Sequence, residues 1–374
     1  MSKTIRRKDK AAAGHAPKSA SKKTTLPPIP WLWLAVIAVI TFVVYVPALR
    51  NGFVNLDDDR YVYQNTKWIE RPAEAIAAKP NGEVVKEMFR IPDGYHMGNY
   101  HPLTMVMYKI IHGFAGLDPF AYHLFNLLLH ILNTLLAFFF IRRLTGKNEL
   151  ATVAALLFGV HALHVESVAW VSELKDLMYA FFFFASLICY LIYLEKQPAK
   201  RFLVFAVLLF LCSLLSKAMA ASLAVVLPLI DYYKGRKFTT PVLLEKVPFF
   251  ALSLIFGVIA IKAQASMDAI QDVALFKPYE RAVFACYGFM NYLGKLILPV
   301  DLSAYYAYPV KTNGHLPGYF YLYPVAVIAL VVAVVLSLRR TKVVLFGVGF
   351  FAITVFLVLQ LLPVGGAIMA DRYA

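Results

Sequence analysis

Charge is scarce in this sequence, and cysteine scarcer. Only 16% of the 374 residues are charged while 60% are apolar, against roughly a quarter charged in soluble domains. That balance excludes a soluble globular protein and leaves a polytopic membrane protein. The three cysteines, Cys189, Cys212 and Cys286, lie inside apolar runs without metal-ligand spacing. They exclude a disulfide scaffold and read as packing residues. There is no HExxH zinc signature, no tandem repeat of about 20 to 50 residues and no low-complexity tract beyond the N-terminal tail. Acid is the rarer sign, 22 Asp and Glu against 37 Lys and Arg, for a net charge of +15. Residues 1–30 carry eight of those bases and one Asp, so this tail is expected to be disordered, cytoplasmic and drawn to anionic lipid. No nucleic-acid-binding module accompanies it, so nucleic acid is not an expected partner. No small-residue cleavage site follows the first apolar run, which is read as a retained span.

A membrane-spanning helix needs about 20 apolar residues. Nine segments qualify: 31–49, 121–141, 150–171, 177–194, 201–215, 218–233, 248–264, 320–338 and 343–362. Basic residues collect in the tail, in "RRLTGK", "EKQPAKR", "KGRK" and "RRTK", and placing all of these on the cytoplasmic side fixes the orientation. Strict alternation then requires 279–299 not to cross. With Arg281, Asn291 and Lys295 it is read as an interfacial or re-entrant helix on the outer side. Lys217 interrupts an apolar run too long for one span and short for two, so two short helices are predicted to meet there at a recessed turn. The expected organisation is a tail over 1–30 and a transmembrane domain over 31–374, with a large outer loop over 50–120.

This topology gathers the polar residues on one face. Asp57, Asp58 and Asp59 stand together in "FVNLDDDRYVYQN". Adjacent carboxylates repel, so the run needs a cation, a proton or a metal. It suits either a solvated acidic helix start or a general base that takes a proton from a hydroxyl. "GVHALHVESVAWVSELKD" contributes His161, His164, Glu166 and Asp176; on a continuous helix the two histidines share a face and Glu166 lies away from them. Lys175, Lys217 and Arg372 are cations in short turns at similar depth, suited to a phosphate or pyrophosphate or to simple snorkelling. His101 opens "HPLT", the start of an amphipathic surface helix. Tyr305 and Tyr306 lie in a Pro- and Tyr-rich loop suited to stacking on a sugar or to anchoring at the interface. A divalent metal could sit on the acidic run, but no spacing compels one.

From about residue 50 onward, "FVNLDDD", "HPLT", "YHLFNLLLHILNTLLAFF", "HALHVESVAWVSELKDL", "LLSKAM", "YLGKLILPVDLSAYY" and "ADRY" occur in an order that resembles the GT-C glycosyltransferases with C-terminal tetratricopeptide repeats, the TMTC O-mannosyltransferases among them. The resemblance implies an all-α GT-C helical bundle that moves a sugar from a polyprenyl-phosphate carrier to an acceptor hydroxyl, on a protein or a glycan, at the outer face of the bilayer. It implies an acidic catalytic pair within Asp57–Asp59, with Asp58 the expected base and Asp57 next, and phosphate-binding roles for Lys175, Lys217 and Arg372. Asp371 belongs to the "ADRY" match. Two family prolines are replaced here, giving His161-Ala162-Leu163-His164 and Ser216-Lys217-Ala218-Met219. Further spans and the repeats follow D-R-Y in the family, so the chain to Ala374 is expected to be the N-terminal membrane part. The expected location is a bacterial inner membrane, with the N-terminus cytoplasmic and the catalytic face periplasmic. A lipid-carrier flippase or transporter, and a non-catalytic scaffold, are the alternative readings.

Overall fold

A computed structural model describes residues 26–195, 199–267, 276–361 and 366–373; the predicted basic tail up to residue 25 lies outside them. The protein is an all-α bundle. Helix α1 (Trp31–Tyr45) runs on through a 3-10 turn to Arg50 and buries one stripe, Leu34, Ile37, Thr41 and Tyr45. That spacing of three and four residues is a helix packed on one side with lipid-facing residues elsewhere.

The loop that follows is itself folded. A π-turn at Asp59–Tyr63 leads to α2 (Ala73–Ala78), α3 (Asn81–Phe89) and α4 (Pro102–Ala115). Buried Tyr61, Trp68, Met88 and Tyr108 join Val171, Leu174 and Met178 in one apolar cluster. The loop is thus a cap seated on the end of the bundle, and the acidic run is held in place by that seat.

Helix α5 (Pro119–Thr145) has the start and stop its sequence prescribes. The Asp118 carboxylate accepts from the Phe120 amide at 3.1 Å, Pro119 opens the helix, and Gly146 closes it in the left-handed conformation at φ 77°. One face of α5 is polar although buried. His123 Nε2 lies 3.4 Å from the Gly52 carbonyl, Asn126 donates to the Trp170 carbonyl at 3.1 Å, His130 to Gly159 at 3.0 Å, and Asn133 to Leu177 at 2.9 Å. Carbonyls released where a neighbouring helix breaks have no water to turn to inside a bilayer, and His130 and Asn126 satisfy those of Gly159 and Trp170.

The break they serve is the one the sequence conceals. The segment expected as a single span over 150–171 is α6 (Asn148–Val160) and α7 (Val165–Ala169), joined at His161 by a 3-10 turn and bent by 47°. His161 is extended, with ψ 132°, and its ring accepts from the Leu163 amide at 3.3 Å. The two histidines therefore do not share a helical face. Gly159 lets the end of α6 approach α1 and α5, since a Cβ there would lie 2.9 Å from Thr134 Cγ2 and collide with Thr41 Oγ1.

Helices α8 (Leu174–Glu195) and α9 (Lys200–Ser216) pack as a long pair. Lys217 leaves the helical region at φ −160°, and a 3-10 turn over Ala218–Ser222 starts α10 (Leu223–Tyr233), so two helices meet at this lysine. After α11 (Thr240–Leu244), α12 (Val247–Ala265) returns against α9 and α10. At this end, away from the cap, Lys246 Nζ lies 2.5 Å from Asp231 Oδ2, Tyr190 donates to Asp231 at 2.6 Å and Arg236 forks onto Glu245 at 2.6 and 2.9 Å. Helix α13 (Pro278–Ile297) packs on α14 (Leu322–Ser337), and α15 (Val343–Val355) packs on α10. Strands β1 (Tyr306–Ala307) and β2 (Ala367–Met369) form a short antiparallel pair.

Among the described residues five helical segments are long and apolar enough to cross a membrane: 31–50, 119–145, 171–195, 240–265 and 318–337; the bent pair 148–169 makes a sixth. Helix α9 has 17 residues, and 218–233 and 343–358 are shorter apolar helices. Helix α13 is not among the candidates.

Candidate active site

The three adjacent aspartates have three different environments. Asp58 is fully buried. Its Oδ1 accepts from both the amide of Ser172, at 2.9 Å, and the Ser172 hydroxyl, while Oδ2 accepts from the Val54 amide at 2.9 Å. This carboxylate is spent on tying the cap to the turn that precedes α8. Asp59 heads the π-turn with one buried oxygen unpartnered. The Asp57 carboxylate is half-buried and accepts no hydrogen bond among the described residues. Burial raises its pKa, with Glu173 and Asp58 adding to the rise and Lys175 and Arg372 opposing it. The expected order of the pair, Asp58 as base and Asp57 second, meets a physical obstacle: a base needs an open lone pair, which Asp57 and Asp59 keep and Asp58 has spent, and Asp57 is the one that interacts with Lys175 and Arg372.

Beside Asp57 the predicted phosphate-binding cations come together from three distant parts of the chain. Lys175 opens α8, Lys217 stands at the α9–α10 break, and Arg372 lies in the 3-10 turn Asp371–Tyr373. At their centre is the buried carboxylate of Glu173. Its Oε1 lies 3.0 Å from Lys175 Nζ and 3.4 Å from Arg372 Nε, and its Oε2 lies 3.9 Å from Lys217 Nζ. Three cations this close repel unless an anion sits among them. Asp176 pairs with Lys217, and Glu166 accepts from Arg372 Nη1 at 2.6 Å and from its backbone amide at 3.1 Å. Aromatic faces line the cluster, with Lys175 Nζ 5.1 Å from the Tyr61 ring and the Arg372 guanidinium 4.8 Å from the Tyr373 ring. Burial pushes the Tyr61 hydroxyl up to about 12.

Other predicted residues support this cluster at one remove. Asp371 accepts from the Ser303 amide, and Tyr306 donates to Asp371 Oδ1 at 3.0 Å. Tyr305 donates to the Gly366 carbonyl at 2.6 Å, and Arg372 Nη1 to the Ala304 carbonyl at 3.0 Å. The tyrosine loop thereby fixes the turn that carries Arg372. His161 Nε2 lies 3.0 Å from the Leu296 carbonyl. His101, at the head of α4, is buried with its ring 5.4 Å from that of Tyr61 and its Nε2 unpartnered; burial holds it neutral, far below the usual imidazole range. Glu173 and Ser172 are the site residues that sequence reasoning did not select. Their only local signal is membership in "SELKD".

No group of three or more His, Cys, Asp or Glu side chains among the described residues is placed to hold a metal ion.

A cavity of about 400 Å³ starts at Asp176, Arg372 and Tyr373 and runs into the bundle between α6, α8 and α15. His161 and His164 flank its polar end, and Phe158, Phe183, Phe184, Phe350 and Phe351 wall the rest. The His164 ring stands 4.5 Å from that of Phe158.

No family model and no solved structure matches the chain. Among curated proteins it is 30% identical over 184 residues to the protein O-mannosyl-transferase Tmtc1 of Drosophila melanogaster, a match that covers 48% of this chain and 20% of the relative. It is 37% identical over 93 residues to the protein O-mannosyl-transferase TMTC2 of Mus musculus, covering 25% and 11%, and 32% identical over 92 residues to TMTC3 of Homo sapiens, covering 25% and 10%. The matched stretch is thus no more than a fifth of the length of these relatives. The resemblance to TMTC-type O-mannosyl-transferases rests on these matches together with the motifs.

Proposed function

We propose that this protein is a membrane glycosyltransferase that moves a sugar from a polyprenyl-phosphate carrier to a hydroxyl group of a protein acceptor. One juxtaposition carries the reading: a carboxylate with a free face, Asp57, interacts with Lys175 and Arg372 of a three-cation cluster whose Arg372 lines an apolar cavity. Hydroxyl activation needs the first, a leaving phosphate the second and a prenyl chain the third. The printed names of the relatives support sugar transfer to protein.

In the proposed mechanism Asp57 accepts the proton of the acceptor hydroxyl as its oxygen attacks the anomeric carbon. The bond from that carbon to the phosphate oxygen breaks, and the electron pair leaves with the polyprenyl phosphate. Lys175, Lys217 and Arg372 stabilise the charge that develops there. A single displacement inverts the anomeric carbon. Asp58 takes no part in proton transfer; it holds Asp57 in register with the α8 turn.

The proposed orientation keeps the N-terminus cytoplasmic and the site on the opposite face, with α13 lying along that face. The named relatives are animal proteins, and they lend no support to a bacterial inner membrane. The test is the purified protein in lipid nanodiscs, supplied with a radiolabelled polyprenyl-phosphate hexose and a Ser/Thr-rich peptide. Label in the peptide is expected. Carrier-dependent movement of label across sealed vesicles with no transfer would favour a flippase and overturn the proposal.

A further inference from the structure

A site that binds phosphate through three cations has no evident use for a buried carboxylate at its centre, yet Glu173 is there. It is 1% exposed. Among the described residues it is the side chain that reaches Lys175, Lys217 and Arg372 together, whereas Asp176 serves Lys217 and Glu166 serves Arg372. Three carboxylates thus face three cations. Glu173 Oε2 is buried 3.9 Å from Lys217 Nζ, and the Glu173 carboxylate accepts a hydrogen bond from the neighbouring Asp176 carboxyl, so that Glu173 is the member of this pair that carries the charge.

We propose that Glu173 is a positioning residue that assembles the three cations while limiting how tightly they hold phosphate, so that the spent carrier can leave. The inference rests on the proposed transfer reaction. In that reaction the charge on phosphate changes. The donor is a phosphodiester with one negative charge. Cleavage from the sugar leaves a phosphate monoester, whose second pKa of about 6 makes it largely a dianion at neutral pH. Uncompensated cations in a site of low dielectric would grip the dianion more than the donor, and product would accumulate on the protein. Glu173 offsets one positive charge at the point all three cations share. It therefore weakens the hold on product more than on donor.

The test uses the whole protein in nanodiscs with a polyprenyl monophosphate as probe. Glu173→Gln keeps the shape and removes the charge. It is expected to bind the monophosphate about tenfold more tightly and, with release now limiting, to lower kcat and donor KM together. Glu173→Asp retains the charge and is expected to keep near wild-type affinity for the product. In the double variant Glu173→Gln/Lys217→Gln one charge of each sign is removed, and affinity is expected to return to within about twofold of wild type. Unchanged or weaker monophosphate binding by Glu173→Gln overturns the proposal. If that variant does not fold, folding of the double variant supports the counter-ion role, and failure of both to fold assigns Glu173 to packing and overturns it. Wild-type protein that binds no monophosphate defeats the proposed function itself; wild-type binding that Glu173→Gln leaves unaltered defeats this inference alone.

Discussion

The carboxylate of Asp58 accepts a hydrogen bond from the Ser172 amide at 2.9 Å, across 114 positions of sequence. This contact fastens the cap formed by the first loop to the turn that presents Glu173 and Lys175. Hydrogen bonds to charged groups contribute about 1.5 to 3 kcal/mol each, and Asp58 receives them from two backbone amides and a hydroxyl. Asp58→Ala is therefore expected to lower the unfolding temperature in detergent and to expose the cap to proteolysis. Asp57→Ala, whose carboxylate supports nothing in the fold, is expected to leave both unchanged.

The pH dependence of transfer follows from Asp57. A base works ionised, so the rate rises as pH increases through its pKa. Burial raises that pKa, so the acidic limb of kcat/KM is expected above the value of about 3.9 for an unperturbed aspartate. Lys175 opposes the rise. Lys175→Gln is accordingly expected to move the limb to still higher pH, besides weakening donor binding. A limb at or below the ordinary aspartate range would exclude this base.

Gly347 tests the cavity. It is exposed on α15 and lines the cavity, and a Cβ built on it meets nothing within 4 Å. Gly347→Leu is expected to raise KM for a long-chain polyprenyl donor, to spare a short-chain analogue, and to leave stability unchanged. Equal effects on both donors would remove the cavity from the account.

Gly159 reports on the packing of α6 against α1 and α5. A side chain there drives into Thr134 and Thr41 where α1, α5 and α6 meet. Gly159→Ala is expected to cost about 1 to 3 kcal/mol as an overpacked contact, read as a lower thermal midpoint, while Gly257→Ala, with open space around it, costs little.

The sequence makes much of this legible because hydropathy is a local property. The break at Lys217 was readable too, since a lysine in a long apolar run has few other solutions. The break at His161 was not: no proline marks it, and the Gly159 carbonyl beside it is satisfied by His130 from another helix. The division of labour within the acidic run was equally hidden, because which aspartate is buried depends on Ser172 and Val54. Glu173 looked like one more charge in a connecting turn until Lys217 and Arg372 came to meet it.

In the proposed reaction Asp57, and not Asp58, takes the acceptor proton. Single-turnover sugar transfer by Asp57→Asn, with donor binding measured alongside, tests it most directly. Transfer is expected to slow by about 10²- to 10⁴-fold, the usual contribution of a general base, with donor affinity and thermal stability close to wild type. Wild-type rates in Asp57→Asn, or the same loss confined to a fully folded Asp58→Asn, would contradict it.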